Sequence, residues 1–181
     1  IGSLRVKWID NFKSIKKGPI IFFGNEFFDA IPIKQYSFFK KDLYQKYYII
    51  NKKTGLDKIY RKASWNDFSQ IKSFKTLKNL KFIEYPKQGL KELDKIIDKI
   101  LELNGGIMLI DYGYLDPINK STLQIVMKNK KMNMNSLFKN LGRADITYLV
   151  NFSLLKEYFL KKKLKVNNIV TQKFFLEKMG I

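Results

Sequence analysis

Two short apolar segments, each followed at once by polar and acidic residues, constrain the fold of this chain most. Ile20–Phe23 comes after a Gly-Pro pair, and Ile107–Ile110 comes after a Gly-Gly pair. Short apolar runs bounded by turn residues are typical of buried strands in a parallel sheet, covered on both faces. We therefore predict two such strands, the first ending at Gly24 and the second at Asp111.

A long amphipathic helix is predicted between these strands. It follows Pro86, and the pair Gly105-Gly106 provides its predicted C-terminal cap. Its apolar face consists of Leu90, Leu93, Ile96, Ile97, Ile100 and Leu101. The succession of helix, glycine, apolar strand and polar cluster predicts an open α/β sheet.

The segment between the first strand and the helix has β character. Aromatic and β-branched residues dominate 33–39, 44–51 and 59–63, and the Lys-Lys-Thr-Gly sequence at 52–55 predicts a turn. We predict an antiparallel hairpin inserted into the α/β frame at about residues 33–63. Helix-like spacing of apolar residues follows over Ser64–Leu80.

Weaker patterns divide the rest of the chain, which shows no repeat and no linker, so we predict a single domain over residues 1–181. The predicted elements are a weakly alternating strand at Thr122–Met127, a polar loop at Asn129–Asn140, a strand or strand-to-helix junction at Asp145–Val150, a helix at Leu154–Lys162, a strand at Lys165–Val170, and a helix at Gln172–Met179 capped by Thr171 and Gly180.

The composition excludes several kinds of chemistry. The chain has no Cys and no His, so disulfides, thiol nucleophiles, Ser-His-Asp triads and His-based metal sites are ruled out, and we predict no metal site. Hydrophobic residues make up 45% of the chain, which is enough for a core. No apolar run approaches the roughly 20 residues that cross a bilayer.

The formal net charge of +19 leaves two interpretations of the surface open. Clustered cations attract nucleic acid by releasing counterions from phosphate. Only three of the 35 basic residues are Arg, however, and Arg reads phosphates and bases better than Lys. The excess of Lys, with many Ile and Asn, is also what a drift in nucleotide composition produces, which favours a solvated lysine surface.

Polar and acidic residues follow both predicted parallel strands. Asn25, Glu26 and Asp29 follow the first strand, and Asp111 with Tyr112 follows the second. In open α/β sheets, ligands bind at the carboxyl ends of the strands. Together these carboxylates favour a cationic ligand, such as a sulfonium, an amine or a guanidinium. The alternative is that each acid only caps the element that follows it.

Segments spread over nearly the whole chain resemble, in the same order, the motifs of one family of S-adenosylmethionine-dependent methyltransferases. The family occurs in bacteria and mitochondria, and its animal members are complex I assembly factors that methylate arginine. The segments are GNEFFDAIPI at 24–33, EYP at 84–86, GGIMLIDYGY at 105–114, TLQ at 122–124, GRADITYLVNF at 142–152, and the pairs Thr171-Gln172, Phe175-Leu176 and Gly180-Ile181.

The resemblance implies a class I, Rossmann-like methyltransferase fold with a seven-stranded sheet and the inserted hairpin region. It also implies that this chain is only the carboxyl portion of that domain. The ten glycines include no Gly-x-Gly pair, so we expect the first strands and the glycine-rich cofactor loop upstream of Ile1. The chain does not begin with Met, and Ile1–Arg5 contain no apolar signal core, so we interpret it as a fragment or a processed product. We expect it to be inactive by itself and to aggregate or order only partly through an uncovered sheet face.

The resemblance further implies methyl transfer from S-adenosylmethionine to an arginine of a respiratory complex I subunit, in a bacterial cytoplasm or a mitochondrial matrix. Glu26, with Asp29 second, would orient the guanidinium, and Asn25 would contact the cofactor. The residues expected to bind the substrate are Asp111, Tyr112, Gly113, Asp145, Thr147 and Gln172. An RNA methyltransferase of the same fold and a non-enzymatic basic binding module are the alternatives.

The chain departs from the family pattern at two histidines and one aspartate. The family's TAHVDF reads TYLVNF at 147–152, so Leu149 replaces the His and Asn151 replaces the Asp. The His that commonly follows the TLQ segment is replaced near Asn129. If those histidines serve catalysis in other members, this chain has to rely on its carboxylates. If they only pack or form hydrogen bonds, nothing is lost.

Overall fold

The computed structural model describes residues 6–51, 53, 55–136, 140 and 142–181. The strands are β1 (Ile21–Asn25), β2 (Lys34–Phe39), β3 (Asp42–Asn51), β4 (Gly55–Lys62), β5 (Phe82–Tyr85), β6 (Gly106–Ile110), β7 (Gly113–Tyr114), β8 (Gln124–Met127), β9 (Lys130–Lys131), β10 (Asp145–Thr147) and β11 (Val150–Asn151). The α-helices are α1 (Trp65–Lys72), α2 (Lys87–Leu103), α3 (Phe152–Lys161) and α4 (Gln172–Met179), with 3₁₀ turns at Phe12–Ser14, Lys75–Leu77 and Met134–Ser136.

The two strands predicted from the apolar segments pair with each other in parallel. Strand β1 lies beside β6, with Ile21 opposite Gly106 and Asn25 opposite Ile110. The prediction that both faces are covered is wrong, because Ile21 is 80% exposed and Phe23 is 59% exposed. Alternate side chains of a strand point to opposite faces, so one face of β1 is open within the described part of the chain.

The inserted β region is confirmed as antiparallel and is larger than predicted. It forms a four-stranded sheet in the order β4-β3-β2-β5, so β5, outside the predicted 33–63, completes it. Of the predicted turn at 52–55, residues 52 and 54 lie outside the described residues. One face of this sheet packs with α1, α2 and α3 around the core, where Tyr36, Ile83, Ile71, Leu93 and Leu154 are fully buried.

Helix α2 occupies the predicted place but ends differently. Asn104, rather than the glycine pair, adopts the left-handed conformation after the last turn, with φ of 54°, and its amide donates to the Ile100 carbonyl. Asn tolerates this conformation better than most residues. Gly105 has another role, because a Cβ there would lie 2.3 Å from the Ile20 carbonyl oxygen.

A buried ion-pair cluster fastens α1 to the sheet and to α2. The carboxylate of Asp67 is almost inaccessible and accepts hydrogen bonds from the Tyr36 hydroxyl at 2.8 Å, from Lys34 Nζ at 3.3 Å and from Lys87 Nζ. Burial alone would raise the pKa of Asp67, but these donors and the lysine charges outweigh it and hold the pKa at about 2.

Two of the weaker predictions are wrong. Lys165–Val170 is not a strand; it is an irregular connection in which Val166, like the preceding Leu164, packs on the core. The predicted polar loop at Asn129–Asn140 contains β9 and a 3₁₀ turn, and its residues 137–139 lie outside the described residues.

The remaining predicted helices and strands are confirmed at least in part. Ser64–Leu80 contains α1 and then a 3₁₀ turn, Thr122–Met127 contains β8, and Asp145–Val150 contains β10 and leads through β11 into α3. The predicted caps of α4 are both present. Thr171 accepts from the Phe174 amide at 3.2 Å, and Gly180 ends the helix with φ of 81°.

Candidate functional site

The carboxyl ends of β1 and β6 bring the two acidic segments together, as predicted. Asn25 lies opposite Ile110, and the Glu26 amide continues the ladder by donating to the Ile110 carbonyl at 2.9 Å. Asp111 follows Ile110 directly. Glu26, Asp29 and Asp111 therefore form one acidic group, which we call the strand-end carboxylates.

Asp111 binds backbone amides. Its Oδ2 accepts from the amides of Phe28 at 2.8 Å and Asp29 at 3.2 Å, and its Oδ1 accepts from Tyr112 at 2.8 Å. Three amide donors on one carboxylate hold the loop after β1 against the end of β6. Asp111 thus has the capping role that the sequence left open, and it positions the segment that carries Glu26.

Asp29 is a buried carboxyl with unusual electrostatics. It is 8% exposed, and its carbonyl accepts from the Tyr148 amide at 3.0 Å. Burial, followed by the negative charges of Asp111 and Glu26, raises the pKa of the Asp29 carboxyl. A cation bound beside it would counter that effect, since opposite charge favours the ionised form.

Glu26 has an exposed side chain on a strained backbone. Its φ of 47° lies in the left-handed region, which non-glycine residues seldom adopt. Such backbone strain concentrates at functional sites, where the surrounding structure maintains it. Here the Ile110 carbonyl and the amides bound by Asp111 hold the turn, and the carboxylate is left accessible.

A further carboxylate, Glu84, lies outside the strand-end carboxylates, and the sequence patterns did not reveal it as a site residue. It is 8% exposed and accepts from Gln35 Nε2 at 2.8 Å, from Ser121 Oγ at 3.2 Å, and from both the amide and the hydroxyl of Thr122. These donors are all neutral. The sequence held one signal for this contact. Glu84 lies in the EYP segment and Thr122 lies in the TLQ segment, and both segments resemble family motifs.

The same network reaches a third motif segment. Thr122 Oγ1 accepts from the Leu149 amide at 3.0 Å. Next to it, Tyr148 is 4% exposed, and its hydroxyl has no hydrogen-bond partner among the described residues. Burial raises the pKa of Tyr148, and the charges of Asp111, Glu84 and Asp29 raise it further. Tyr148 is therefore a neutral phenol between Glu84 and the strand-end carboxylates.

The sequence of the chain is similar to that of one known family. Residues 2–170 match the family described as "Putative S-adenosyl-L-methionine-dependent methyltransferase". The chain belongs to this methyltransferase family. The family that the sequence motifs suggested is thereby confirmed.

One named relative and two solved structures are similar to the chain. The chain is 26% identical to the mitochondrial protein arginine methyltransferase NDUFAF7 homologue of Caenorhabditis elegans, over 98% of this chain and 41% of that protein. A Burkholderia thailandensis crystal structure bound to S-adenosyl-homocysteine matches with a TM-score of 0.66 and 18% identity, over 87% of this chain and 41% of that one. A native crystal structure from the same organism matches with a TM-score of 0.67 and 18% identity, over 87% of this chain and 42% of that one. The chain thus spans about two fifths of these relatives.

Two of the three departures from the methyltransferase family have identifiable local roles. Asn151 is the N-cap of α3, and its Oδ1 accepts from the Leu154 amide at 2.9 Å. Asn and Asp cap helices about equally well, so this substitution preserves the cap. Asn129 lies in the two-residue turn between β8 and β9, where it and Lys128 both have positive φ.

Of the residues expected to bind substrate, Tyr112 and Gly113 lie next to the strand-end carboxylates. Tyr112 is 63% exposed, and its carbonyl accepts from the Val150 amide at 2.8 Å. A Cβ at Gly113 would lie 2.2 Å from the Val150 carbonyl oxygen, so glycine permits β7 to pair closely with β11. Gly113 therefore serves backbone packing.

The other three expected residues are less central. Thr147 is the last residue of β10, directly before Tyr148, and lies opposite Gln124. Asp145, at the other end of β10, is exposed and lies opposite Val126. Gln172 is exposed at the start of α4, and the described hydrogen bonds and ion pairs do not connect it with the strand-end carboxylates. Their roles in substrate binding stay predictions.

Two absences hold for the described ranges only. Within them, no group of three or more acidic side chains could hold a metal ion. No helix in this part of the chain is both long enough and apolar enough to span a membrane.

Proposed function

We propose that this chain takes part in S-adenosylmethionine-dependent methylation of an arginine side chain on a protein. The observation that supports this most is the acidic group at the paired ends of β1 and β6, with Glu26 accessible and Asp29 buried beside it. A guanidinium and a sulfonium are both cations, and a group of carboxylates is complementary to either. The Caenorhabditis elegans relative is named as a protein arginine methyltransferase.

The negative charges at the end of β1 are complementary to the positive charge of the cofactor. When bound, the cofactor supplies a methyl group on a positively charged sulfur. Asn25 would contact it through its side-chain amide, and the Glu26 carboxylate beside it would complement the positive charge of the sulfur. Burial and the neighbouring negative charges raise the pKa of the Asp29 carboxyl, and a cation bound beside it would offset that effect.

Glu26 is the group we assign to the acceptor. Its carboxylate would hold the guanidinium by two parallel hydrogen bonds and direct one nitrogen at the methyl group. Holding reactants in line accounts for a large part of such a transfer, because little covalent chemistry falls to the protein. Asp111 contributes through the loop that it binds, and Asp29 accepts the proton released from the methylated nitrogen.

We further propose that the chain forms the carboxyl portion of a class I methyltransferase domain in which upstream sequence provides the glycine-rich cofactor loop. The relatives are more than twice as long, which supports this. By analogy with the relative named as mitochondrial, we propose a complex I subunit as the acceptor protein and a mitochondrial matrix or bacterial cytoplasm as the location.

The test is methyl transfer by the natural full-length polypeptide that carries this sequence. Arginine-containing peptides serve as acceptors, and methylarginine is quantified by mass spectrometry. We expect Glu26→Gln to lower kcat/KM by about 100-fold, as removal of an orienting charged group does. The control is Glu177→Gln, on the exposed face of α4, which should retain wild-type activity. Full activity of the Glu26→Gln variant would refute the assigned role.

RNA is the second candidate acceptor, because the net charge is +19 and a basic residue lies over an exposed aromatic ring. The Arg61 guanidinium lies 5.5 Å from the ring centroid of Tyr47, and both side chains are exposed. Aromatic and basic residues together bind single-stranded nucleic acid. Binding to a non-specific RNA that falls steeply with salt would favour this candidate, and weak binding that is insensitive to salt would remove it.

A further inference from the structure

An open cleft begins directly beside the strand-end carboxylates. Its volume is about 390 Å³. Ala30, the residue after Asp29, lines its start, and Tyr148, whose amide binds the Asp29 carbonyl, lines its wall. A chain whose arginine reaches Glu26 would therefore run into or past this cleft.

The cleft combines an apolar floor with two lysines. Its apolar side chains are Ile31, Pro32, Ile33, Leu123 and Ile146. Lys34 is already paired with Asp67, and the other lysine of the lining is Lys46, on β3. Lys46 is half-buried, and burial lowers the pKa of its ammonium because the charged form is disfavoured there.

Lys46 is held in place by aromatic rings. Its Nζ lies 4.7 Å from the centroid of the Tyr48 ring and 5.9 Å from that of Phe82. No ion pair joins it to a carboxylate among the described residues. Glu84, which is near enough to act on it electrostatically, is already bound by neutral donors. An ammonium arranged in this way leaves room for one carboxylate partner.

We propose that this cleft binds the segment of the acceptor polypeptide next to the methylated arginine, and that Lys46 selects an acidic side chain in that segment. This inference rests on the proposed function, because it deepens the description of the same site. The apolar floor would take a neighbouring hydrophobic side chain, and Gln45 offers an amide group to a backbone. Tyr48, above which Lys46 lies, would fix the position of the charge.

The test is direct binding of labelled peptides to the natural full-length polypeptide. Each fluorescein-labelled peptide has 13 residues, a central arginine and a Gly-Ser-Ile host, with one glutamate placed in turn at each of the three positions on either side. A matched series carries glutamine in place of glutamate. Affinity is measured by fluorescence anisotropy at low salt and at 0.15 M salt.

We expect one glutamate position to bind roughly fivefold to tenfold more tightly than its glutamine counterpart, the effect of one partly buried ion pair. Lys46→Met should abolish this preference, and Lys46→Arg should restore most of it. The control Lys91→Met removes the same charge from an exposed position on α2 and should leave the preference intact. Thermal unfolding checks that each variant folds.

Several outcomes would overturn the inference. A preference that is equal in wild type and Lys46→Met would do so, and so would the absence of any preference. An oligouridine probe that binds as tightly as the best peptide and depends equally on Lys46 would reassign the cleft to nucleic acid.

A parallel series with alanine in place of the central arginine separates this inference from the proposed function. Retained glutamate preference without dependence on arginine would overturn the arginine acceptor alone. Dependence on arginine without glutamate preference would overturn the role of Lys46 alone.

Discussion

The antiparallel sheet and the parallel strand pair of this protein differ in how completely they are enclosed. In the four-stranded sheet, Tyr36 and Ile83 are fully buried, and Asp67 fastens the neighbouring helices. In the pair β1–β6, by contrast, Ile21 and Phe23 are exposed. The enclosed sheet provides the stability, whereas the open pair provides the carboxylates of the candidate site.

The largest expected effect is on core packing. Ile83→Ala in the antiparallel sheet should lower the free energy of unfolding by about 2–5 kcal/mol, because it leaves a cavity in a fully buried position. The matched change Ile21→Ala on β1 should cost less than about 0.5 kcal/mol, since that side chain is 80% exposed. Chemical denaturation measures both. Equal losses would contradict the division between the two regions.

The next effect concerns the Asp67 cluster and depends on pH. The pKa of the Asp67 carboxyl in the folded protein, about 2, lies below its ordinary value of 3.8. A depressed carboxyl pKa contributes stability that is complete above the unfolded pKa and is lost as the pH falls through the folded one. The contribution is about 2 kcal/mol. The stability difference between wild type and Asp67→Asn should therefore be full near pH 5 and shrink toward pH 2. A difference that does not change with pH would contradict the cluster.

A smaller effect is expected in the Glu84 network. Thr122→Val should destabilise the protein by about 1–2 kcal/mol, because Glu84 loses a hydroxyl donor and the Leu149 amide loses its acceptor. Thr122→Ser keeps the hydroxyl and should retain most of the stability. If both variants are equally stable in a denaturation experiment, the network does not hold these segments together.

The smallest effect on stability is expected at the open face of β1. Phe23→Ser should change the free energy of unfolding by less than about 0.5 kcal/mol. It should also reduce self-association of the isolated chain, measured by sedimentation velocity, because it removes an exposed apolar side chain. Unchanged self-association would show that this face does not drive aggregation.

The strand-end carboxylates could be predicted from the sequence because local patterns specify them. Two apolar runs predict parallel strands, and parallel strands bring Glu26 and Asp111 to one edge. Local patterns could not predict Glu84 as a site residue, since its hydrogen-bond donors lie far away along the chain. Thr122 is 38 residues from Glu84, and Gln35 is 49 residues from it. The cap at Asn104 was missed because the adjacent glycines are the commoner signal for a helix end. Of these glycines, Gly105 is instead required by a close approach to Ile20.

The exposed face of β1 also shows the limit of periodicity. A short apolar run indicates an apolar environment on both faces, but it does not show which element covers each face. In this chain the open face bears Ile21 and Phe23, and the relatives are more than twice as long. The apolar run therefore predicts the strand itself correctly, but the covering of this face cannot be read from the run alone.

The most direct test of the account is calorimetric titration of S-adenosylmethionine into the natural full-length polypeptide. The account predicts saturable binding at one site per chain, weakened when Glu26→Gln and Asp29→Asn are combined, because two carboxylates that favour a cation are removed. Glu177→Gln should bind as wild type does. No binding by the folded wild-type protein would contradict the account.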